Sequence, residues 1–314
     1  MIRVRVVKGW NFPDLKRQTP GGDGIWGDIL LTEEPLPECE YLLLLGVPTK
    51  DIEVRCPPEN VWLICQEPPT ENFLALHGGT RQCARIYTQD VSRKASRFIH
   101  SQPALPWFVN RDYTYLRDCS PPEKTRDLSW VTSNKGFLRG HQKRIQFLNR
   151  IRNTVEFDLF GRGFQEVEDK WDGLAPYRYT IAVENFAGPY YFTEKIMDAY
   201  LSWTMPIYCG CTNIDSFFPK ESYVALDINS PDAPAMLREI VKSDLAERHK
   251  DAIAEARRII LDELQLFPFL SAQIKADLTR SGCCYDRRQA LRIRGTRLFA
   301  RRLYNKVLKL AHLN

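Results

Sequence analysis

No Asp-x-Asp pair occurs anywhere in the 314 residues, which removes the paired carboxylates on which many sugar-nucleotide enzymes mount a divalent ion. The five histidines, His77, His100, His141, His249 and His312, never fall at H-x-x-x-H spacing, and the nine cysteines include no C-x-x-C pair. A zinc site is therefore disfavoured, and the cysteines read as reduced core thiols. A G-x-S-x-G nucleophile elbow and a P-loop are also missing. Gly22-Asp23-Gly24-Ile25-Trp26-Gly27 has the letters of a dinucleotide fingerprint, but Gln18-Thr19-Pro20 stands where the preceding strand is required. It reads as a glycine loop. No apolar run reaches the length of a membrane span, and MIRVRVVKGW enters an alternating strand without the apolar segment of a signal peptide. The expectation is a cytoplasmic protein.

The chain carries 44 Lys and Arg against 39 Asp and Glu. Nine of the basic residues fall between Arg287 and Asn314, where there is no acid, so the rest is slightly acidic. That balance argues against a nucleic-acid enzyme. In the tail, Phe299, Leu303, Val307 and Leu310 share one helical face, with Arg294, Arg297, Arg301 and Lys309 towards another. Such a basic amphipathic helix either packs on the protein or lies peripherally on an anionic inner membrane surface.

Short β-branched and apolar runs predict strands at 2–7, 41–47, 61–66, 84–88, 128–132, 155–160, 179–183, 206–209 and 223–226. The later ones are separated by helical stretches, the pattern of parallel sheets with crossover helices. The chain is thus read as α/β. Arg117 to Asp127 is polar, lacks periodicity and contains Pro121-Pro122, which marks it as a linker. The resulting division is 1–120, 121–280 and a tail at 281–314.

The densest polar chemistry lies between Tyr179 and Gly210, which reads as strand, polar loop, helix and second strand. The apolar run Tyr179 to Val183 ends in Glu184 and Asn185, and Thr193 is placed to cap a helix whose first turn holds Glu194 and Lys195. Free backbone N–H groups, the helix dipole and Lys195 would together attract a phosphate. A plain capped helix with a solvated Glu–Lys pair is the other reading at this stage.

The order Glu184-Asn185-Phe186, then Tyr191-Phe192-Thr193-Glu194-Lys195, a helix, and Met205-Pro206-Ile207 resembles the donor-binding motif of the α1,3/4-fucosyltransferases. Val183 stands where the family usually has phenylalanine, and the cysteine that precedes it there is absent, Ala182 standing nearby. Ser133-Asn134, Arg144-Ile145-Gln146-Phe147 and Gly161-Arg162-Gly163 follow the family's serine-asparagine, arginine-x-x-phenylalanine and glycine-arginine elements in order. Arg144 matches the diphosphate-binding arginine, with Arg139 and Lys143 as neighbouring registers. Val61 to Gln66, followed by Glu67-Pro68-Pro69, resembles the strand that ends in the family's proposed base.

The resemblance implies the GT-B architecture, two Rossmann-like domains facing across a cleft, with the donor nucleotide held by the C-terminal half. It implies inverting transfer of fucose from GDP-fucose to a glycan hydroxyl, in α1,3 linkage to N-acetylglucosamine or glucose. Glu67 would be the base, with Glu71 the nearest substitute. Arg144 and Lys195 would neutralise the diphosphate, Glu194 would bond ribose hydroxyls, and Asn185 and Tyr191 would line the donor pocket. No cofactor and no essential metal are implied; the partners are the nucleotide sugar and the acceptor glycan, with no nucleic acid. A GT-B transferase for another nucleotide sugar and a non-catalytic carbohydrate-binding relative are the other readings. Plainer roles also stand beside each residue: Arg144 solvated in a basic helix, Glu67 bracing the turn before Pro68, Tyr191 as packing.

Overall fold

The computed structural model describes residues 1–281 and 287–295. It forms two compact units, one of Met1–Leu105 with the chain from Gln265 onward, the other Pro106–Leu264.

The first unit is built on a seven-stranded sheet in the order β2-β3-β1-β4-β6-β7-β8. These strands are β1 (Ile2–Lys8), β2 (Ile25–Trp26), β3 (Ile29–Thr32), β4 (Tyr41–Leu45), β6 (Val61–Ile64), β7 (Arg85–Thr88) and β8 (Phe98–His100), while β5 (Ile52–Cys56) lies outside this sheet. All pairings are parallel except the short β2–β3 hairpin. All five residues of β4 are buried, as a strand covered on both faces must be. Tyr41, Leu43 and Leu45 point into one core and Leu42 and Leu44 into the other.

The first of these cores is closed by α7 (Leu266–Ser281), whose Leu266, Phe267, Leu270 and Ile274 pack among Val4, Leu43, Trp62 and Tyr87. Asp277 of the same helix accepts a hydrogen bond from the Tyr41 hydroxyl at 3.1 Å and pairs with Arg85. The second core is covered by an antiparallel ribbon of β5 and β14 (Gln289–Ile293). β5 alternates buried Ile52, Val54 and Cys56 with exposed Glu53 and Arg55, the period-2 signature of a half-buried strand.

The second unit holds α1 (Tyr113–Asp118), β9 (Arg126–Val131), α2 (Arg139–Ile151), β10 (Asp158–Phe160), β11 (Tyr177–Val183), α3 (Glu194–Leu201), β12 (Met205–Cys209), β13 (Val224–Ala225), α4 (Ala233–Lys242), α5 (Leu245–Arg248) and α6 (Lys250–Ile259). Its sheet is entirely parallel, ordered β10-β9-β11-β12-β13. The chain steps from β9 outward to β10 and then returns to β11 on the other side of β9. That reversal creates a crevice at the carboxyl ends of β9 and β11, the place where open α/β sheets bind ligands.

Each of the nine predicted strands is present within a few residues of its expected bounds. The domain limits differ from the expectation. Residues 117–127 fall inside the second unit, where Lys124 is anchored to the carbonyls of Ala175 (2.8 Å) and Ser202 (3.1 Å). The chain leaves the second unit after Leu264, so α7 belongs to the N-terminal sheet. The start of the tail is also more tightly held than its charge suggested. Arg287, Arg288 and Arg292 pair with Glu59, Glu40 and Asp51 of the first unit, and 289–293 form a strand. Of the expected amphipathic helix only Arg294 is described, where it follows β14 and is not helical; its other residues, with Cys283 and Cys284, lie outside the described residues. Among the described residues no helix is long and apolar enough to cross a membrane.

If α7 is the lid of the first core, Phe267→Ala should destabilise the protein by about 3–5 kcal/mol. Urea unfolding of the full chain, followed by Trp fluorescence, measures it; an unchanged midpoint would show that α7 is dispensable to that core.

Candidate active site

Two helices begin at the carboxyl edge of the second sheet. α2 follows β9 and α3 follows β11, so their N-termini flank the β9/β11 crevice. Thr193 caps α3 with its hydroxyl, which accepts from the Lys195 N–H at 3.4 Å.

At the centre is Glu184, whose side chain has no solvent exposure. Its carboxylate accepts the Thr193 N–H at 2.8 Å, the Thr193 hydroxyl at 2.8–3.0 Å and the Lys195 ammonium at 3.3 Å. A buried carboxylate without such donors would be prohibitive, so these bonds tie the end of β11 to the start of α3. Gly210 lets β12 approach closely, since a Cβ there would lie 2.4 Å from Glu184 Cγ. Burial pushes the Glu184 carboxyl up. Burial works the other way on Lys195, but Glu184 and Glu194 prevail and raise it, which keeps the ammonium charged.

Glu194 stands 3.5 Å from Lys195 and 4.0 Å from Lys170. Desolvation opposes its ionisation, yet those two cations outweigh it and hold the carboxyl down at about 2. Lys170 is in turn fixed by the buried Asp198 at 2.9 Å, whose other bonds go to the Phe108 and Val109 N–H groups.

Arg144 projects from α2 and is only 4 % exposed, which rules out the solvated role. One Nη donates to Asn185 Oδ1 at 2.6 Å and the other to the Ser133 carbonyl at 3.2 Å and hydroxyl at 3.3 Å. Its Nε is buried with no hydrogen-bond partner among the described residues. Gly140, one turn earlier, packs so tightly on the β11 loop that a Cβ would lie 1.9 Å from the Asn185 carbonyl oxygen. His141 beside it is buried, and desolvation together with Arg144, Lys135 and Lys195 pushes its pKa down to about 4. The imidazole is neutral at ordinary pH, so it leaves the local positive charge to Arg144, Lys135 and Lys195.

Arg144, Asn185, Glu194 and Lys195 thus come together at one edge of one sheet. Tyr191 is buried nearby and packs edge-on against Phe186 at 5.8 Å. Glu67 lies in the first unit, exposed just beyond β6, and desolvation raises its carboxyl above the usual range. The sequence reading gave no role to Glu184, Ser133, Lys170 or Asp198. Glu184 announced itself as the first charge after an apolar run and Ser133 as part of the serine-asparagine element; Lys170 and Asp198 gave no signal. Among the described residues no group of three or more His, Cys, Asp or Glu side chains is placed to hold a metal ion.

Residues 121–246, all within the second unit, match the glycosyltransferase family 10 (fucosyltransferase) C-terminal domain. The chain is 28 % identical over 130 residues to 4-galactosyl-N-acetylglucosaminide 3-alpha-L-fucosyltransferase 9 of Mus musculus and to that of Homo sapiens. The match takes in 39 % of this chain and only 35 % of either relative. The whole fold is similar to that of a crystallised α1,3-fucosyltransferase with GDP, with a TM-score of 0.51 and 16 % identity over 91 % of this chain and 92 % of that one. A second structure of an α1,3-fucosyltransferase gives a TM-score of 0.50 at 16 % identity, over 88 % of this chain and 89 % of that one. At such identity the likeness speaks to fold, which is GT-B: two Rossmann-like α/β units.

Because Gly140 and Asn185 leave no room between them, Gly140→Ala should push α2 off the β11 loop, costing about 1–3 kcal/mol by overpacking and breaking the Arg144–Asn185 bond. Gly136→Ala, whose Cβ would meet only Ile145 Cδ1 at 3.5 Å, is the matched control. Thermal melting of both variants tests this, and equal melting temperatures would contradict the close approach.

Proposed function

We propose that the protein transfers fucose from GDP-fucose to a hydroxyl of an acceptor glycan, with inversion at the sugar. The observation that carries this reading is the pair of buried or half-buried cations, Arg144 and Lys195, set beside two helix N-termini at the β9/β11 crevice of a fucosyltransferase-family segment. The departing diphosphate gathers negative charge as the glycosidic bond breaks. Groups already aimed at that charge lower the barrier without reorganising. Arg144 is fixed through Asn185 and Ser133, and Lys195 through Glu184 and Thr193, so both meet the donor already oriented. In this reading they neutralise the leaving group together with α3 amides and without an essential metal.

Glu194, kept ionised by Lys195 and Lys170, can accept hydrogen bonds from ribose hydroxyls. Asn185 and the aromatic wall of Tyr191 and Phe186 border the same loop. Glu67 takes the proton from the attacking acceptor hydroxyl. A carboxylate whose affinity for protons is raised by desolvation is a stronger base than one in open water, which suits that task.

Two measurements test the proposal. Lys195→Ala should weaken GDP binding by about 2–5 kcal/mol in calorimetry, because it removes one member of a half-buried charge cluster; Arg144→Ala should act in the same direction. Unchanged GDP affinity in folded variants would sink the phosphate clamp. Glu67→Gln should keep GDP affinity and melting temperature while transfer falls by about 10²- to 10⁴-fold. Wild-type transfer should also decline on acidification at a pH above the ordinary glutamate range, since the base must be ionised and its pKa is raised. Near-normal transfer by Glu67→Gln would move the base elsewhere, with Glu71 first in line.

A further inference from the structure

No described residue hydrogen-bonds the Glu67 carboxylate, so where that carboxylate stands is decided by its backbone. The Glu67 carbonyl is held from behind by His77, whose Nε2 lies 3.0 Å from it. His77 is fully buried in the short helical turn Leu74–Gly78, and its Nδ1 lies 2.6 Å from the Thr88 hydroxyl. Thr88 ends β7, the strand paired with β6 from which the Glu67 turn departs. One imidazole therefore bridges the ends of two neighbouring strands.

The partners decide the tautomer. A carbonyl oxygen can only accept, so Nε2 carries the hydrogen and donates it to Glu67. Burial pushes the His77 pKa down, which keeps the ring neutral, and Nδ1 is then bare and accepts from the Thr88 hydroxyl. Thr88 Oγ1 also accepts the Asp90 N–H at 3.0 Å. The rest of the segment is tied down independently: Arg97 donates to the Gly78 carbonyl at 3.2 Å, and Arg93 donates to that of Leu74 at 3.4 Å and pairs with Asp90 at 3.0 Å. Only His77 reaches from this anchored segment to the carbonyl of Glu67 itself.

We infer that His77 is a positioning residue for the base, locking the Glu67 turn to the end of β7 through its Nε2 hydrogen. The inference rests on the reading of Glu67 as the general base. Amide side chains separate the two bonds, because glutamine places its terminal nitrogen near the histidine Nε2 position and asparagine near Nδ1. His77→Gln should keep the donor to the Glu67 carbonyl and hold kcat near wild type. His77→Asn keeps only the Thr88 side and should lower kcat by about 10- to 100-fold, the scale of a misplaced catalytic group. Its KM for GDP-fucose should stay near wild type. In a Glu67→Gln background His77→Asn should lower kcat no further, since there is no carboxylate left to position.

Equal kcat losses in the two single variants, or a full added loss in the double variant, would overturn the inference while leaving the base reading intact. Normal transfer by Glu67→Gln alone would end the base reading and the inference with it. Should the His77 variants not fold, the ring nitrogen chemical shifts of wild-type His77 in nitrogen-15-labelled protein report the tautomer, and the hydrogen is expected on Nε2. A hydrogen on Nδ1 would leave no donor for the Glu67 carbonyl and would overturn the role.

Discussion

Glu184 is the constraint on which the candidate donor site depends. Its carboxylate cannot be buried at the end of β11 without donors, and the donors that meet it are the cap residue of α3 and the ammonium of Lys195 two residues on. Meeting that requirement fixes the start of α3, the direction of Lys195 and the approach of β12 at Gly210. Asn185 follows directly, and it in turn holds Arg144. Two cations that would repel each other in an empty crevice are thereby kept in place, Lys195 by Glu184 and Thr193 and Arg144 by Asn185 and Ser133.

Three glutamates of one chain occupy three electrostatic situations. Glu184 is enclosed and fully hydrogen-bonded, so it serves the architecture. Glu194 sits between two lysines and stays ionised far into acid. Glu67 has desolvation without a cation to offset it, and its affinity for protons rises. The residue type is the same, and the difference in chemistry comes from what surrounds each.

Much of this was legible in the sequence because the second sheet is made of local βα steps. In 179–210 the apolar run, the polar exit, the cap and the helix follow one another, so each residue is placed by its neighbours. Asn185, Glu194 and Lys195 were found that way, and Arg144 through its match to the arginine-x-x-phenylalanine element. Glu184 was seen as polar but given no role, because its burial depends on β12 and α3 both closing over it. The ribbon of β5 and β14 joins segments more than 230 residues apart, and no local pattern reports such a pairing. β5 did carry the alternation of a strand, but β14 was hidden in an arginine-rich stretch whose charges looked solvent-facing and are paired with acids of the first unit. The assignment of α7 failed for the same reason. Its apolar face gives no sign of which sheet it covers.

That helix has a consequence for how the chain is made. The strands of the first unit leave the ribosome early, yet the residues that seal one of their faces, Leu266 to Ile274, come after the whole of Pro106–Leu264. Tyr41, Leu43 and Trp62 therefore wait through the synthesis of the whole of Pro106–Leu264 for their cover. The intervening unit can complete itself from contiguous sequence while the older sheet still lacks α7. A nascent chain built this way is most exposed to aggregation or to chaperone capture through its N-terminal sheet, at the stage when its second unit is already formed.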